Sequence, residues 1–186
     1  MLVHLIRHTT PQIDDGICYG QTDLDVTDSF EAERDIILSK LKSNYDAVFT
    51  SPLIRCARLA ESIQAPKRFS DKRLMEYHFG DWELKPWNSF KTEDQRTWMN
   101  NFVEQAAPNG ESLITMRDRV LDFWLELEKA NYKNVAVVTH SGVQRLIHAH
   151  VLDTPINKIF RLSLGFGAVM ELNSALEDEL LTIRHL

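Results

Sequence analysis

Val135-Ala136-Val137-Val138-Thr139-His140-Ser141-Gly142 is a run of four small or β-branched apolar residues that ends abruptly in polar ones. Such a run is too apolar for a solvent-facing sheet surface and reads as a strand buried on both faces. Residues 2–6 repeat the pattern ahead of Arg7-His8, and Ala47–Thr50 (AVFT) repeats it ahead of Ser51-Pro52. Between these strands the apolar residues change to helical spacing. Phe30, Ile37 and Leu41 follow a capping-box-like Asp28 and Glu31. Leu53, Ala57, Ala60 and Ile63 follow Ser51-Pro52, read as an N-cap with proline at the first helical position. Leu113, Met116, Val120, Phe123 or Trp124, and Leu127 lie on one face of an amphipathic helix over 112–130, and Val143, Ile147 and Val151 mark another. Residues 87–105 are helical only in part, and 159–164, 168–172 and 181–185 read as strands. The β-α-β-α order predicts a three-layer α/β/α sandwich around a mostly parallel sheet.

The composition sets the outer limits. With 186 residues, the chain is expected to be one domain over 1–186, at roughly 150 residues per domain. Apolar residues make up 44% and charged residues 26%, ordinary for a globular protein with a full core. Lys plus Arg (21) against Asp plus Glu (27) gives a net charge of −6, which argues against a nucleic-acid-coating or basic membrane-surface protein. Cys18 and Cys56 are too few for a disulfide scaffold and fit a reducing compartment. The opening MLVHLIRHTT lacks the long apolar run of a signal peptide, and no segment approaches the ~20 apolar residues of a membrane span. A cytoplasmic protein is expected. Nothing in the sequence speaks for or against a homo-oligomer.

The chemistry collects where the strands end. Open α/β sheets bind ligands at the carboxyl ends of their strands. There the chain offers Leu5-Ile6-Arg7-His8-Thr9, Phe49-Thr50-Ser51-Pro52-Leu53-Ile54-Arg55 and Val137-Val138-Thr139-His140-Ser141-Gly142. Arg7, His8, Arg55 and His140 are therefore expected on one rim. Two arginines and a helix N-terminus suit a phosphoryl group, because guanidinium forks match its oxygens bidentately. A histidine in that cradle can attack phosphorus, giving a phosphohistidine that water cleaves. Glu76, between Met75 and Tyr77 in Arg73-Leu74-Met75-Glu76-Tyr77-His78-Phe79-Gly80-Asp81-Trp82-Glu83, is expected to serve as the acid for the leaving oxygen, its apolar neighbours favouring that role. His4 is read as structural, and His148 and His150, two apart on a helix, cannot chelate one ion. Trp82, Trp87, Trp98 and Phe102 either line a pocket or pack the core.

In these residues the chain resembles the histidine phosphatase (phosphoglycerate mutase-like) superfamily over nearly its whole length. The Arg-His that follows the family's first strand is matched by Arg7-His8, its Gly-x-x-Asp loop by Gly20-Gln21-Thr22-Asp23, and its Ser-Pro-x-x-Arg by Ser51 to Arg55. Its acid-bearing stretch is matched by Leu74, Glu76, Gly80 and Glu83, its Gly-Glu-Ser by Gly110-Glu111-Ser112, and its second histidine motif by His140-Ser141-Gly142. Cys18-Tyr19-Gly20-Gln21-Thr22-Asp23 and Phe79-Gly80-Asp81-Trp82-Glu83 are most similar to α-ribazole phosphatases. The resemblance implies the phosphoglycerate mutase-like fold and a metal-independent phosphomonoesterase that needs no cofactor. It implies His8 as nucleophile, Glu76 as acid, and Arg7, Arg55, His140, Tyr19 and Gly20 as substrate- or phosphate-binding residues. The implied substrate is a small phosphate ester, α-ribazole 5′-phosphate in cobalamin nucleotide-loop assembly. Two positions depart from the pattern: Thr9 stands where the family has glycine after the nucleophile, and His78 stands where α-ribazole phosphatases often carry an acid.

Other readings are weaker. A broad-specificity phosphatase of the same superfamily stays open. A phosphoglycerate mutase usually carries a longer insertion than the stretch 63–76 allows. A metal-dependent hydrolase lacks any H-E-x-x-H or comparable ligand spacing. A phosphate-recognising module without turnover would need neither His8 nor Glu76.

Overall fold

Two parallel strands with the same alternation, three residues facing each way, form the centre of the molecule. In the computed structural model, which describes residues 1–90, 93–173 and 182–186, they are β1 (Leu2–Arg7) and β4 (Asn134–Thr139). β-Branched and aliphatic residues suit this position because both faces of the pleat are covered. Val3 pairs with Val135, Leu5 with Val137 and Arg7 with Thr139. Beside β4 runs β2 (Ala47–Thr50), and beyond it a short edge strand, β3 (Arg68–Ser70), both parallel to the centre. On the other side β5 (Val169–Asn173) and β6 (Thr182–His185) complete the sheet as an antiparallel hairpin, giving the order β3-β2-β4-β1-β5-β6 among the described residues.

The alternation divides the core in two. Val3, Leu5, Val135, Val137, Met170 and Leu172 face α4 (Leu113–Lys129) and α5 (Ser141–Val151). Ile6, Val48, Ala136, Val138 and Val169 face α1 (Phe30–Ser39) and α2 (Ile54–Glu61). The expected three-layer sandwich around a mostly parallel sheet is the architecture found, and the structure adds the antiparallel pairs of β5 at one edge. A further helix, α3 (Glu93–Asn101), lies near the strand ends.

Several local readings need correction. Residues 156–161 form a 3-10 helix where the sequence predicts a strand over 159–164, because Ile159, Leu162 and Leu164 are apolar for packing on the core and not for a place in the sheet. β3 escaped the sequence reading: its three side chains are exposed, so no apolar alternation marks it. Helix α2 begins at Ile54, with Leu53 still extended, so Ser51 and Pro52 precede it and do not cap it. Asp28 and Glu31 form no capping box either; α1 starts at Phe30 and Glu31 pairs with Arg34. Ser112 is the N-cap of α4, its hydroxyl accepting from Thr115 N–H. Leu181, at the start of the expected last strand, lies outside the described residues.

Candidate active site

The register of β1 and β4 carries the site with it. Because Arg7 sits opposite Thr139, the next residues on each strand, His8 and His140, leave the sheet side by side. His8 N–H donates to Thr139 O (3.0 Å), and the two imidazoles meet edge to face with centroids 5.0 Å apart. β2 ends one step away: Ser51 N–H donates to Val138 O, and Ser51 Oγ lies 2.8 Å from His140 Nε2. Ser51 thus has a site contact that its reading as a helix cap did not suggest.

His8 is fully buried, and its Nδ1 lies 2.6 Å from the Thr9 carbonyl oxygen. A carbonyl can only accept, so Nδ1 carries the proton and Nε2 keeps its lone pair. Burial, with the Arg55 and Arg7 charges, holds His8 well below the ordinary histidine range. His140 is held down likewise by burial and then by His8, Arg55, Arg7 and Arg119. Both rings are therefore neutral near pH 7.

Arg55 has 0% exposure and lies directly over the nucleophile candidate. Nη2 donates to Gly20 O (2.6 Å), Nη1 to Thr22 O (2.9 Å), and Nε reaches His8 Nε2 at a long 3.4 Å. The loop bearing those carbonyls lies so close that a β-carbon on Gly20 would stand 1.9 Å from Tyr77 O, which only glycine avoids. Gly20 therefore anchors Arg55 through its carbonyl. The Arg55 guanidinium also lies 5.6 Å from the Tyr19 ring centre, and burial pushes the Tyr19 phenol up. The first N–H of α2, at Ile54, donates to Asp23 Oδ1 (2.7 Å), so that part of the expected helix N-terminus is already capped.

Arg7 donates through Nη1 to Leu164 O and stacks on Phe166, 4.0 Å from the ring centre. Its Nε is buried and has no hydrogen-bond partner among the described residues. Neither Arg7 nor Arg55 forms an ion pair with a carboxylate among those residues. A wholly buried cation such as Arg55 is rarely left so, because its desolvation is offset by a partner charge, and the half-buried Arg7 keeps an enclosed Nε without an acceptor. The site asks for an anion.

Glu76 approaches from the other side, on the loop after the 3-10 turn Lys72–Leu74. Its Oε1 accepts from Tyr77 N–H (2.9 Å), and its Oε2 accepts from Gly142 N–H (3.2 Å) and Ser141 Oγ–H (3.3 Å). A β-carbon at Gly142 would stand 2.2 Å from Oε1, so glycine lets the carboxylate reach the start of α5. Arg119 fixes the backbone of this loop, donating to Arg73 O, Met75 O and Glu76 O while paired with Glu111.

From this point a pocket of about 200 Å³ opens outward. Arg7, Tyr19 and Glu76 line it together with the aromatic walls Tyr77, Phe79, Trp98, Phe102 and Phe160. Trp98 and Phe102 thus line the pocket, whereas Trp82 is buried and packs on Phe90 and Trp98. Arg145, which the sequence reading passed over, also lines it; the signal was its position four residues after Ser141, on the same helix face. The departures are local. Thr9 is buried with Oγ1 unpartnered among the described residues, and His78 N–H donates to Glu111. Burial pushes both cysteine thiols up, so neither behaves as an activated thiolate. His4 sits in β1 against Tyr45 and Glu171, a structural arrangement. Among the described residues no cluster of His, Cys, Asp or Glu could hold a metal ion, and no helix is long and apolar enough to cross a membrane.

Known proteins are similar to this chain in sequence and in fold. The sequence model of the histidine phosphatase superfamily (branch 1) matches residues 3–182. The adenosylcobalamin/α-ribazole phosphatase of Escherichia coli K12 is 27% identical over 184 residues, covering 93% of this chain and 91% of that protein. Phosphoserine phosphatase 1 of Hydrogenobacter thermophilus is 24% identical, over 84% of this chain and 78% of that one. The crystal structure of the α-ribazole phosphatase from Shigella flexneri superposes with a TM-score of 0.87 at 27% identity, covering 100% of this chain and 96% of the other.

Proposed function

The chain belongs to the histidine phosphatase superfamily, and from that membership we propose a phosphomonoesterase that works through a phosphohistidine on His8. One observation carries the reading: the Nδ1–H contact with Thr9 O leaves the Nε2 lone pair as a nucleophile beside the buried Arg55 and the half-buried Arg7, neither of which is ion-paired to a carboxylate among the described residues. A dianionic phosphoryl group supplies the charge those arginines lack, and its oxygens give Arg7 Nε an acceptor.

In the proposed sequence, His8 Nε2 attacks phosphorus while the ester P–O bond breaks. Glu76 gives its proton to the leaving oxygen and becomes a carboxylate. Negative charge spreads over the three phosphoryl oxygens as this happens, so Arg7, Arg55 and His140 bind the transition state more strongly than the ester. Water then attacks the phosphohistidine and passes a proton to Glu76, and cleavage of the P–N bond releases inorganic phosphate. The reaction as written uses side chains and water, with no metal or other cofactor.

The leaving group occupies the aromatic pocket, which Tyr19 also lines. Aromatic walls suit a leaving group that carries an aromatic base, and the similarity to α-ribazole phosphatases supports α-ribazole 5′-phosphate as substrate. We take 1–186 as one domain acting in the cytoplasm on small phosphate esters; the net charge of −6 supports neither a nucleic acid nor a membrane surface as partner. The test is kcat/KM for a panel of phosphomonoesters in excess chelator. Turnover should persist in chelator and be highest for α-ribazole 5′-phosphate. A metal requirement would overturn the mechanism, and a preference for phosphoserine or phosphoglycerate would overturn the substrate.

A further inference from the structure

Helix α5 opens with a hydroxyl held between two groups of opposite charge. Ser141 Oγ accepts a hydrogen bond from Arg145 Nη1 (3.1 Å) and donates one to Glu76 Oε2 (3.3 Å). The direction is fixed by chemistry: a guanidinium can only donate, so the serine proton is left for the carboxylate. Positions 141 and 145 are four apart, which stacks their side chains on one face of the helix. Arg145 is itself fixed, its Nε donating to Leu162 O (2.9 Å) and its guanidinium lying 5.6 Å from the Phe160 ring centre. Of the three donors on Glu76, the other two are backbone N–H groups of Tyr77 and Gly142. The serine alone has a full positive charge behind it.

We infer that Arg145, acting through Ser141, is a positioning residue for the acid of the reaction. The inference rests on the reading of Glu76 as that acid. In the first half-reaction the Glu76 O–H bond breaks with the ester P–O bond, the proton moves to the leaving oxygen, and negative charge appears on the Glu76 carboxylate. Ser141 meets that charge with a hydrogen bond polarised by Arg145, and holds the carboxylate in place to take the proton of water in the second half. Arg145 touches neither phosphorus nor the leaving oxygen in this scheme. Its effect on the chemical step therefore passes through Glu76, whereas a contact with the leaving group in the pocket that Arg145 also lines would show in KM.

That dependence gives the test. The rate of phosphoenzyme formation is measured by rapid quench for ribose 5-phosphate, an alkyl ester, and for p-nitrophenyl phosphate, whose leaving phenolate needs little acid. The variants are Glu76→Gln, Arg145→Gln, Arg145→Lys and Ser141→Ala, with the last three repeated in the Glu76→Gln background. Arg145→Gln and Ser141→Ala should slow the alkyl ester about 10-fold more than the aryl ester, a part of what a general acid contributes. Lysine at 145 should restore part of the loss, and neither change should add to Glu76→Gln. Should Arg145→Gln fail to fold well, Ser141→Ala removes a single hydroxyl and carries the same comparison. Equal losses on both esters for Glu76→Gln itself would overturn the acid assignment. If Glu76→Gln discriminates but the Arg145 and Ser141 variants slow both esters alike, raise KM alone, or add in full to Glu76→Gln, the positioning role is overturned.

Discussion

Arg55 is a guanidinium shut away from solvent, with no carboxylate partner among the described residues, held by two loop carbonyls and aimed at a histidine. Its fork geometry is what allows one side chain to meet Gly20 O, Thr22 O and the reacting centre together. Arg55→Ala should therefore lower kcat/KM by about 10²-fold, the scale of a lost transition-state donor, with kcat carrying much of the loss. Arg55→Lys should not recover it, since an ammonium cannot span those acceptors. Steady-state kinetics decide the point: full kcat with only a raised KM would mean that Arg55 binds ester and transition state alike. At this scale the sequence was most informative where residue type and strand end coincide, at Arg7, His8, Arg55 and His140. It assigned no site role to Ser51, Arg119, Arg145 or Phe166, whose contacts with the site emerge only once the segments are packed together.

Two loops complete the site, one from β1 to α1 and one from β3 towards α3, and the Glu83 carboxylate joins them. Glu83 accepts from Gln21 N–H (2.9 Å), Thr22 N–H (2.6 Å), Thr22 Oγ–H and Phe79 N–H (3.1 Å). Those donors outweigh the burial that opposes ionisation and hold Glu83 below the usual carboxylate range. Glu83→Gln would turn an amide N–H₂ towards backbone N–H groups. A loss of roughly 1–3 kcal/mol is expected from leaving buried donors unmet. Because the same loop supplies the Arg55 anchors, kcat/KM should fall as well, although Glu83 touches no reacting atom. Urea denaturation and kinetics on one variant check both parts; a stable protein with wild-type kcat/KM would contradict the linkage. Elements with their own apolar period were legible: β1, β2, β4, α4 and α5 follow Leu, Val and Ile spacing. The edge strand β3 was not, because Arg68, Phe69 and Ser70 join the sheet through their backbone with all three side chains exposed. Residues 159–164 misled because Ile159, Leu162 and Leu164 are apolar for packing against α5 and its neighbours, not for a place in the sheet.

Across the whole molecule, the sheet is a device for alignment. Parallel pairing of β1 with β4 and of β4 with β2 brings His8, His140 and Ser51 to one rim, beside a pocket with aromatic walls. Membership of the histidine phosphatase superfamily follows from the match of its sequence model over residues 3–182. The central claim is a covalent bond between phosphorus and His8 Nε2. It is tested most directly by quenching the enzyme during turnover of radiolabelled ribose 5-phosphate and locating the label by peptide mapping. The account predicts an acid-labile, base-stable phosphoryl group on the peptide containing His8, absent from a folded His8→Ala variant that has also lost turnover. Label on a serine, a cysteine or Glu76, or full turnover by His8→Ala, would contradict it.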